Sequence, residues 1–302
     1  MLKGSSIPNV LILVALLFTL VVLFYDITPS WYEGLREDAI LHRDLYMMNN
    51  SLQAARSYMD TALSYSVYQA CYDTLRKTDA SAGDDVFKAN LAESVKSYLN
   101  RYGSDDYYFM SNYPVNIPVY ETVTVETISL LRIKAESSQN MYISMEQEGS
   151  ERRLETRNNM DKTIPIDCYG MFLKGKEVHS GISSTLDSLV KAKVDSWPDK
   201  AEALPDLDSL KAGIEGIQEL AFERIEGHYS IKSEFTEAKI EFNGYEKSGA
   251  GPYENIKYKV TVKLRVTVKD TRDDQVFPIY DGSKITFSPL SAIFTFEEAY
   301  AG

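Results

Sequence analysis

The sequence has few of the residues on which most catalytic and metal sites depend. Among 302 residues there are two cysteines, two tryptophans and three histidines. The histidines are far apart, at positions 42, 179 and 228, and the cysteines form no C-x-x-C pair. Zinc sites and catalytic thiols need such residues in close groups. The sequence therefore predicts no metal site, no catalytic residue and no cofactor.

Motifs that bind nucleotides or carry out hydrolysis are also missing. The sequence contains no G-x-G-x-x-G, no G-x-x-x-x-G-K-[ST], no H-E-x-x-H and no G-x-S-x-G. Acidic residues cluster at 105–106 and 270–274, but neither cluster follows the ligand spacing of a calcium-binding loop. We therefore expect a protein that is not an enzyme.

The sequence has fewer basic residues than acidic residues. Asp and Glu number 44 against 32 Lys and Arg, which gives a formal net charge of −12. An acidic surface repels the phosphates of nucleic acids, so we expect no nucleic-acid partner. Tyrosine, in contrast, is abundant at 21 residues, and suits either ordinary sheet packing or contact surfaces exposed outside the cell.

One long apolar run stands at the front of the chain. Residues 7–25 read IPNVLILVALLFTLVVLFY, with Asn9 and Thr19 as the polar interruptions. Nineteen residues in a helix span about 28 Å, close to the hydrocarbon thickness of a bilayer. The run therefore predicts a single transmembrane helix whose partner is the lipid bilayer.

Two other interpretations of this run stay open, a cleavable secretory signal and a buried core helix. A signal normally ends in small residues, whereas this run ends in Leu23, Phe24 and Tyr25, and core helices are usually less apolar over such a length. Lys3 precedes the run, and by the positive-inside rule it places the N-terminus in the cytoplasm. We expect a single-pass protein of the cell membrane with its body outside the cell.

The two cysteines, Cys71 and Cys168, are either joined in a disulfide or are two separate buried thiols. An oxidising compartment outside the cell favours the bond. In the chain-entropy model, closing so long a loop contributes about 4 to 5 kcal/mol to stability.

A heptad pattern of apolar residues follows the run. Its members are Leu41, Leu45, Met48, Leu52, Ala55, Met59 and Ala62. Such a pattern predicts a long amphipathic stalk helix with a coiled-coil-like seam. The seam packs either on its own domain or on another copy. Because the residue before a proline disfavours helix, Pro29 predicts a break between the membrane span and the stalk.

Behind the stalk, the same order of elements occurs twice, a helix first and antiparallel strands after it. The first helix is expected at 84–102, with strands between 119 and 173. The second is expected at 207–225, with strands between 235 and 298. A duplicated unit and one continuous sheet are both compatible with this order.

We therefore expect an α+β fold with five segments. These are a membrane anchor at 1–27, the stalk at 28–79, a first α+β unit at 80–180, a connecting segment at 181–206 and a second α+β unit at 207–302. The connecting segment comprises an amphipathic helix at 182–197 and a linker at 198–205.

The clearest predicted strand, residues 256–269, has one apolar and one basic face. The basic face, here called the basic ladder, consists of Lys257, Lys259, Lys263, Arg265 and Lys269. It is either a docking face for an acidic partner or a solvated face paired with glutamates on adjacent strands.

The front of the chain has three features in a fixed order. A short polar leader ends in Lys3 and Gly4, the apolar run follows at once, and the long amphipathic helix comes next. In this order the chain resembles the type IV pilin-like proteins of archaea. The resemblance implies cleavage after Gly4 by a dedicated peptidase, and self-association or assembly with other pilin-like surface proteins.

Together these features predict a non-enzymatic, membrane-anchored protein with a structural, adhesive or pilin-like role at the cell surface. The alternative is an anchored receptor or binding domain for an extracellular ligand or polymer.

Overall fold

The computed structural model describes residues 6–79, 81–104, 107–127, 130–147, 150–195, 207–218, 220–247, 253–280 and 282–301. The helices are α1 (Ser6–Lys77), α2 (Asp84–Tyr102), α3 (Cys168–Asp195) and α4 (Leu207–Glu215). The strands are β1 (Val115–Asn116), β2 (Thr122–Thr127), β3 (Leu131–Glu136), β4 (Met141–Gln147), β5 (Ser150–Thr156), β6 (Met160–Ile164), β7 (Glu223–Glu226), β8 (Tyr229–Lys247), β9 (Tyr253–Asp270), β10 (Val276–Tyr280), β11 (Ile285–Pro289) and β12 (Ser291–Ala301). Every strand pair within these residues is antiparallel, which confirms the α+β class.

Helix α1 is continuous over 72 residues and passes through Pro29, so the predicted break at this position is wrong. A proline in a helix removes one hydrogen bond and crowds the carbonyl of the preceding turn. Here the helix continues on both sides, and its second half is held by burial of the heptad seam. Among the described residues, no helix is both long and apolar enough to cross a membrane.

The heptad seam is buried against the protein's own chain from Met48 onward. Its buried members are Met48, Leu52, Ala55, Met59 and Ala62, and burial of α1 continues beyond them at Leu63, Val67, Ala70, Cys71 and Leu75. Leu41 and Leu45, at the start of the pattern, are half-buried. The small alanines in the seam allow close approach of the segments that pack on it.

The chain forms two compact units, each made of separate stretches. The first consists of Met1–Ser57, Asp106–Ile117 and Asn140–Arg157. It contains the front part of α1 and the sheet β1-β4-β5, in which Met141 pairs with Thr156. Its core includes Val115, Ile143 and Met145.

The second unit consists of Tyr58–Asp105, Pro118–Gln139 and Asn158–Gly302. It holds the end of α1, helices α2 to α4, and three sheets with the orders β2-β3-β6, β10-β11 and β12-β9-β8-β7. Helices α2 and α3 meet through Phe87 and Phe172, whose rings stack at 4.2 Å. The described strands therefore form separate sheets and not one continuous sheet.

Two predicted elements differ from the structure. Strands were expected as far as residue 173, but β6 ends at Ile164 and α3 begins at Cys168. Residues Met171, Gly175, Val178 and Ile182 are buried on one face of this helix, at a spacing of three to four residues that is typical of helix.

The second helix was expected over 207–225 but ends at Glu215, and Ile225 lies in β7. Gly213 and Gly216 weaken the helix at this point, because glycine is the poorest helix former after proline. The connecting helix predicted at 182–197 is the second part of α3. The linker predicted at 198–205 lies outside the described residues.

Candidate functional site

A groove rich in tyrosine lies in the second unit. Its cavity volume is about 1130 Å³, and its walls come from α1, from the last turn of α2 and from the β10–β11 hairpin. Six tyrosines line this tyrosine groove, namely Tyr58, Tyr65, Tyr72, Tyr98, Tyr102 and Tyr280. Ligand pockets typically measure about 300 to 1000 Å³, so this groove has room for an extended ligand.

The sequence places these rings together by simple periodicity. Tyr58, Tyr65 and Tyr72 are seven residues apart, which is close to two helical turns, so they share one face of α1. Tyr98 and Tyr102 are one turn apart at the end of α2. The heptad positions beside them are buried, which orients the tyrosine face outward.

The β10–β11 hairpin is fixed to α1 by its inner face. Phe277 and Ile279 are buried there, and the Phe277 ring stacks on Tyr68 at 4.5 Å. Gln69 holds the strand edge, since its Nε2 donates to the Tyr280 carbonyl at 3.2 Å and its Oε1 accepts from the Tyr280 amide at 2.9 Å. The hairpin is therefore a fixed wall of the groove.

The opposite face of the hairpin is apolar and uncovered. Pro278 pairs with Phe287, and Tyr280 pairs with Ile285, so these four residues share the face that lines the groove. Ile285 is 69% exposed and Phe287 is 76% exposed. Large apolar side chains so exposed on a rigid wall indicate a contact surface.

One half-buried tyrosine–carboxylate pair sets the electrostatics of the groove floor. The Tyr98 hydroxyl donates a short hydrogen bond to Asp73. Burial and then this bond to a carboxylate raise the pKa of Tyr98 to about 12. Asp73 is the single carboxylate in the described lining, and it is already engaged.

Two guanidinium groups flank this pair. The Arg76 guanidinium carbon lies 3.9 Å from the centre of the Tyr72 ring, and that of Arg101 lies 5.3 Å from the Tyr98 ring. Both arginine side chains are exposed and line the groove. Cation–π contact with a tyrosine orients each guanidinium while leaving its N–H groups available to a ligand.

Ser66 supplies a polar group that no described atom of the protein satisfies. The residue is 1% exposed, it lines the groove, and its hydroxyl has no hydrogen-bond partner within the described part of the chain. A buried hydroxyl without a partner costs roughly 1 to 3 kcal/mol. Such a cost persists at sites where a ligand or a bound water completes the bonding.

The described lining of the groove favours binding over covalent chemistry. It holds neither histidine, cysteine, lysine nor glutamate. A hydroxyl nucleophile needs a neighbouring base, and the Asp73 carboxylate receives its hydrogen bond from Tyr98, whose pKa is raised. The groove therefore offers aromatic faces and hydrogen-bond donors.

A second polar site, here called the Asp–Arg cluster, lies at the start of α3. It comprises Asp167, His228, Tyr229, Asp270 and Arg272. Asp167 Oδ2 lies 3.0 Å from His228 Nε2 and accepts from the Tyr229 hydroxyl at 2.7 Å and from Arg272 Nη2 at 3.0 Å. Arg272 Nη2 also donates to Asp270 Oδ2 at 2.6 Å.

Asp167, His228 and Asp270 are close enough to hold a metal ion, since their ligand atoms lie within 4.8 Å of one another. The positive charge of Arg272 already occupies the space between the two carboxylates, and donors fill their lone pairs. Burial raises the pKa of Asp270, but bonding to Arg272 outweighs it and keeps the pKa below its ordinary value. These residues do not fit a metal site, and the cluster joins α3 to the β7–β8 turn and the end of β9.

The structure brings the two cysteines together. Cys71 on α1 and Cys168 at the start of α3 are both fully buried and both are free thiols. The Cys168 thiol lies within hydrogen-bonding reach of Cys71. Burial raises the pKa of Cys168 well above its ordinary value, and the neighbouring Cys71 raises this pKa further.

The basic ladder lies on the exposed face of β9, in the middle of a four-stranded sheet. The opposite face, from Val260 to Val268, is fully buried, as predicted. Lys263 Nζ lies 3.3 Å from Glu237 Oε2, and Arg265 pairs across the strands with Glu234. These acidic neighbours favour the solvated-face interpretation.

One member of the basic ladder and the predicted cleavage position fall outside the described side chains. The Lys257 side chain lies outside the described residues, although its backbone pairs with Gly244. Lys3 and Gly4, the predicted cleavage position, also lie outside them.

Sequence reasoning did not find the tyrosine groove or the Asp–Arg cluster. The seven-residue spacing of Tyr58, Tyr65 and Tyr72 was a readable signal for the groove. The cluster had no such signal, because Asp167 is distant in sequence from His228 and Asp270. Comparison with protein-family models, curated proteins and solved structures finds no significant match to this chain.

Proposed function

We propose that this protein is a membrane-anchored, non-enzymatic binding protein that takes an extracellular ligand into the tyrosine groove. The observation that carries the proposal is the groove itself, with six tyrosines, two oriented guanidinium groups and the unpartnered hydroxyl of Ser66. Clefts with aromatic walls and a few convergent polar groups are the usual form of a binding site.

The proposed anchor is the apolar run at residues 7–25. Its support is the sequence and, within the described side chains, the exposure of every residue from Leu16 to Tyr25. Phe18 is 70% exposed and Phe24 is 67% exposed. Ten consecutive exposed residues with so much apolar surface are suited to lipid, and we propose that the body lies outside the cell.

An extracellular location would allow the buried cysteine pair to be oxidised. We propose that Cys71 and Cys168 lose two protons and two electrons to an extracytoplasmic disulfide oxidant, which is reduced to its dithiol as their S–S bond forms. Both thiols are fully buried, so the bond forms before folding is complete. Mass spectrometry of unreduced, alkylated native protein tests this, and two alkylated thiols would contradict it.

The binding proposal is tested with the full-length chain in nanodiscs on arrays of glycans and of peptides. The groove variant Tyr72→Ala/Arg76→Ala is compared with the ladder variant Lys263→Ala/Arg265→Ala. We expect a bound ligand to be lost in the groove variant and kept in the ladder variant. The reverse result would place the binding site on the basic ladder and contradict the proposal.

A structural, pilin-like role is the second candidate. It is favoured by the exposed residues Leu16 to Tyr25, which also suit packing between copies in a filament core. Mass spectrometry of the native N-terminus separates the two, since cleavage after Gly4 with filaments visible by electron microscopy supports the pilin-like role. An uncleaved chain that stays dispersed supports the anchored binding protein.

A further inference from the structure

We propose that the ligand of the tyrosine groove is a proline-rich polypeptide segment in the polyproline II conformation. This inference rests on the proposed binding function and names the chemistry of its ligand. It is carried by the length of the groove, by the imbalance between its hydrogen-bond donors and acceptors, and by its exposed aromatic surface.

The groove is long enough for an extended segment. Its lining on α1 runs from Tyr58 to Arg76, which at 1.5 Å per residue is about 27 Å along the helix axis. A polyproline II segment rises 3.1 Å per residue, so roughly nine residues would lie along this wall. A globular small molecule would fill only part of it.

Available donors outnumber available acceptors in the described lining of the groove. The guanidinium groups of Arg76 and Arg101 can only donate, and they account for this excess. The hydroxyls of Tyr65 and Tyr72 can both donate and accept. In contrast, the Asp73 carboxylate is engaged by Tyr98, and the Gln69 amide is engaged by the backbone of Tyr280.

A proline-rich segment has the complementary imbalance. Each proline has a backbone carbonyl that accepts hydrogen bonds but has no N–H that needs an acceptor. An ordinary peptide has an N–H at every residue, and a glycan has hydroxyls that donate as often as they accept. Either would bring additional N–H or O–H donors, for which the described lining offers mainly hydroxyl oxygens as acceptors, whereas the prolines bring none.

The apolar part of the groove also suits prolines. The rings of Tyr65, Tyr280 and Phe287 are 43%, 55% and 76% exposed. Pyrrolidine rings dock between aromatic side chains of this kind, and the preformed polyproline II helix loses little conformational entropy on binding. The net charge of −12 disfavours an anionic polymer, whereas a proline-rich segment has no such penalty.

The test measures binding of a ten-residue proline peptide to the full-length chain in nanodiscs by isothermal titration calorimetry. The comparison ligands are a ten-residue Gly-Ser peptide, a neutral oligosaccharide and an acidic oligosaccharide. We expect the proline peptide to bind and the three comparison ligands not to bind. Tyr72→Ala and Arg76→Ala should each weaken its binding about tenfold.

The matched control is Tyr142→Ala in the first unit. Its ring holds the Arg153 guanidinium at 3.7 Å, as Tyr72 holds Arg76, but outside the groove. We expect this variant to bind the peptide normally. Tyr65→Ala, at a residue that is 43% exposed, provides a further groove variant, and we expect it to weaken peptide binding as well.

The outcomes separate the ligand class from the binding function. If an oligosaccharide or the Gly-Ser peptide binds in the groove and the proline peptide does not, the inference on ligand class is wrong and the binding function stands. If no ligand responds to the groove variants while the control behaves normally, both are wrong.

Discussion

The two polar sites of the second unit differ in how far their groups are satisfied. In the Asp–Arg cluster, Asp167 accepts from Tyr229 and Arg272, and the buried Asp270 is held by Arg272. In the tyrosine groove, the buried Ser66 hydroxyl has no hydrogen-bond partner among the described residues, and the exposed Arg76 guanidinium lies over the Tyr72 ring. Both contain charges and tyrosines, so composition alone does not separate them.

The two sites differ in what their polar groups can do. A saturated network stabilises the fold and has no capacity left for a ligand, whereas unsatisfied groups in a rigid groove raise the energy of the free protein and are available for binding. Substitutions in the cluster should therefore change stability, and those in the groove should change binding.

The largest effect is expected from Arg272→Met. The change leaves the Asp270 side chain, which is fully buried, without its cationic partner. Removing one member of a buried ion pair costs about 3 to 5 kcal/mol. Because Arg272 itself is partly exposed, we expect about 3 kcal/mol, measured as the change in free energy of unfolding in urea for the full-length chain in detergent.

Arg265→Met on the basic ladder is the matched control for that variant. Its side chain is exposed, so we expect a change within about 0.5 kcal/mol. Equal effects for the two variants would break the comparison, because the cluster would then behave as an ordinary surface.

A steric substitution in the same cluster should have the next largest effect. In Gly170→Ala, the added methyl carbon would lie 2.2 Å from Asp167 Oδ1 and 2.6 Å from the Tyr229 hydroxyl. We expect a loss of about 1 to 3 kcal/mol, the usual cost of overpacking. In Gly181→Ala, further along α3, the new methyl group meets no atom within 4 Å, and the melting temperature should rise.

The acid response of the protein sharpens the comparison further. The pKa of Asp270 is lower in the folded state, so its ionised form stabilises the fold above the unfolded pKa near 4. This contribution is lost as the pH falls through the lower, folded pKa. As the pH is lowered below about 4, we expect the urea concentration at the unfolding midpoint of the wild type to decrease. This group should lower the free energy of unfolding by at most about 1.4 kcal/mol per pH unit.

The Arg272→Met variant should respond to acid in the opposite sense. Without the guanidinium, burial dominates and disfavours the ionised Asp270 carboxylate. Protonation of Asp270 therefore stabilises the folded state of the variant. Its deficit relative to the wild type should therefore shrink between pH 7 and pH 4. A constant deficit over this range would show that Arg272 acts through packing and not through charge.

The sequence alone predicted the features that depend on the periodic spacing of apolar residues along one element. The alternation in β9 predicted its buried face from Val260 to Val268, and the heptad pattern predicted the buried seam of α1. The α3 segment was misassigned because Cys168, Met171 and Phe172 follow a strand closely and their helical spacing becomes clear only with Val178 and Ile182. Tertiary packing decides such a boundary, and one residue pattern permits both structures.

The candidate sites depend on contacts between distant segments, which no local pattern encodes. Cys71 and Cys168 could be considered together in advance because there are only two cysteines, but the sequence left a disulfide and two separate buried thiols both open. The ion pair between Asp167 and Arg272 could not be predicted in this way, because 44 acidic and 32 basic residues allow very many pairings. For the groove, the tyrosine spacing on α1 was visible, but its other walls required the position of the β10–β11 hairpin.

The smallest effects come from two buried serines, and they separate the sites most directly. Ser233 donates to the Leu220 carbonyl at 2.7 Å, whereas the Ser66 hydroxyl has no partner in the described chain. Ser233→Ala should cost about 1 kcal/mol, the net worth of a typical hydrogen bond.

Ser66→Ala removes a buried group without removing a protein hydrogen bond, so urea denaturation should show the variant equal to or more stable than the wild type by up to about 1 kcal/mol. The same variant should bind the groove ligand more weakly. If Ser66→Ala instead destabilised the protein as much as Ser233→Ala, the hydroxyl would already be satisfied in the free protein, and the distinction between a saturated cluster and an unsaturated groove would lose its main support.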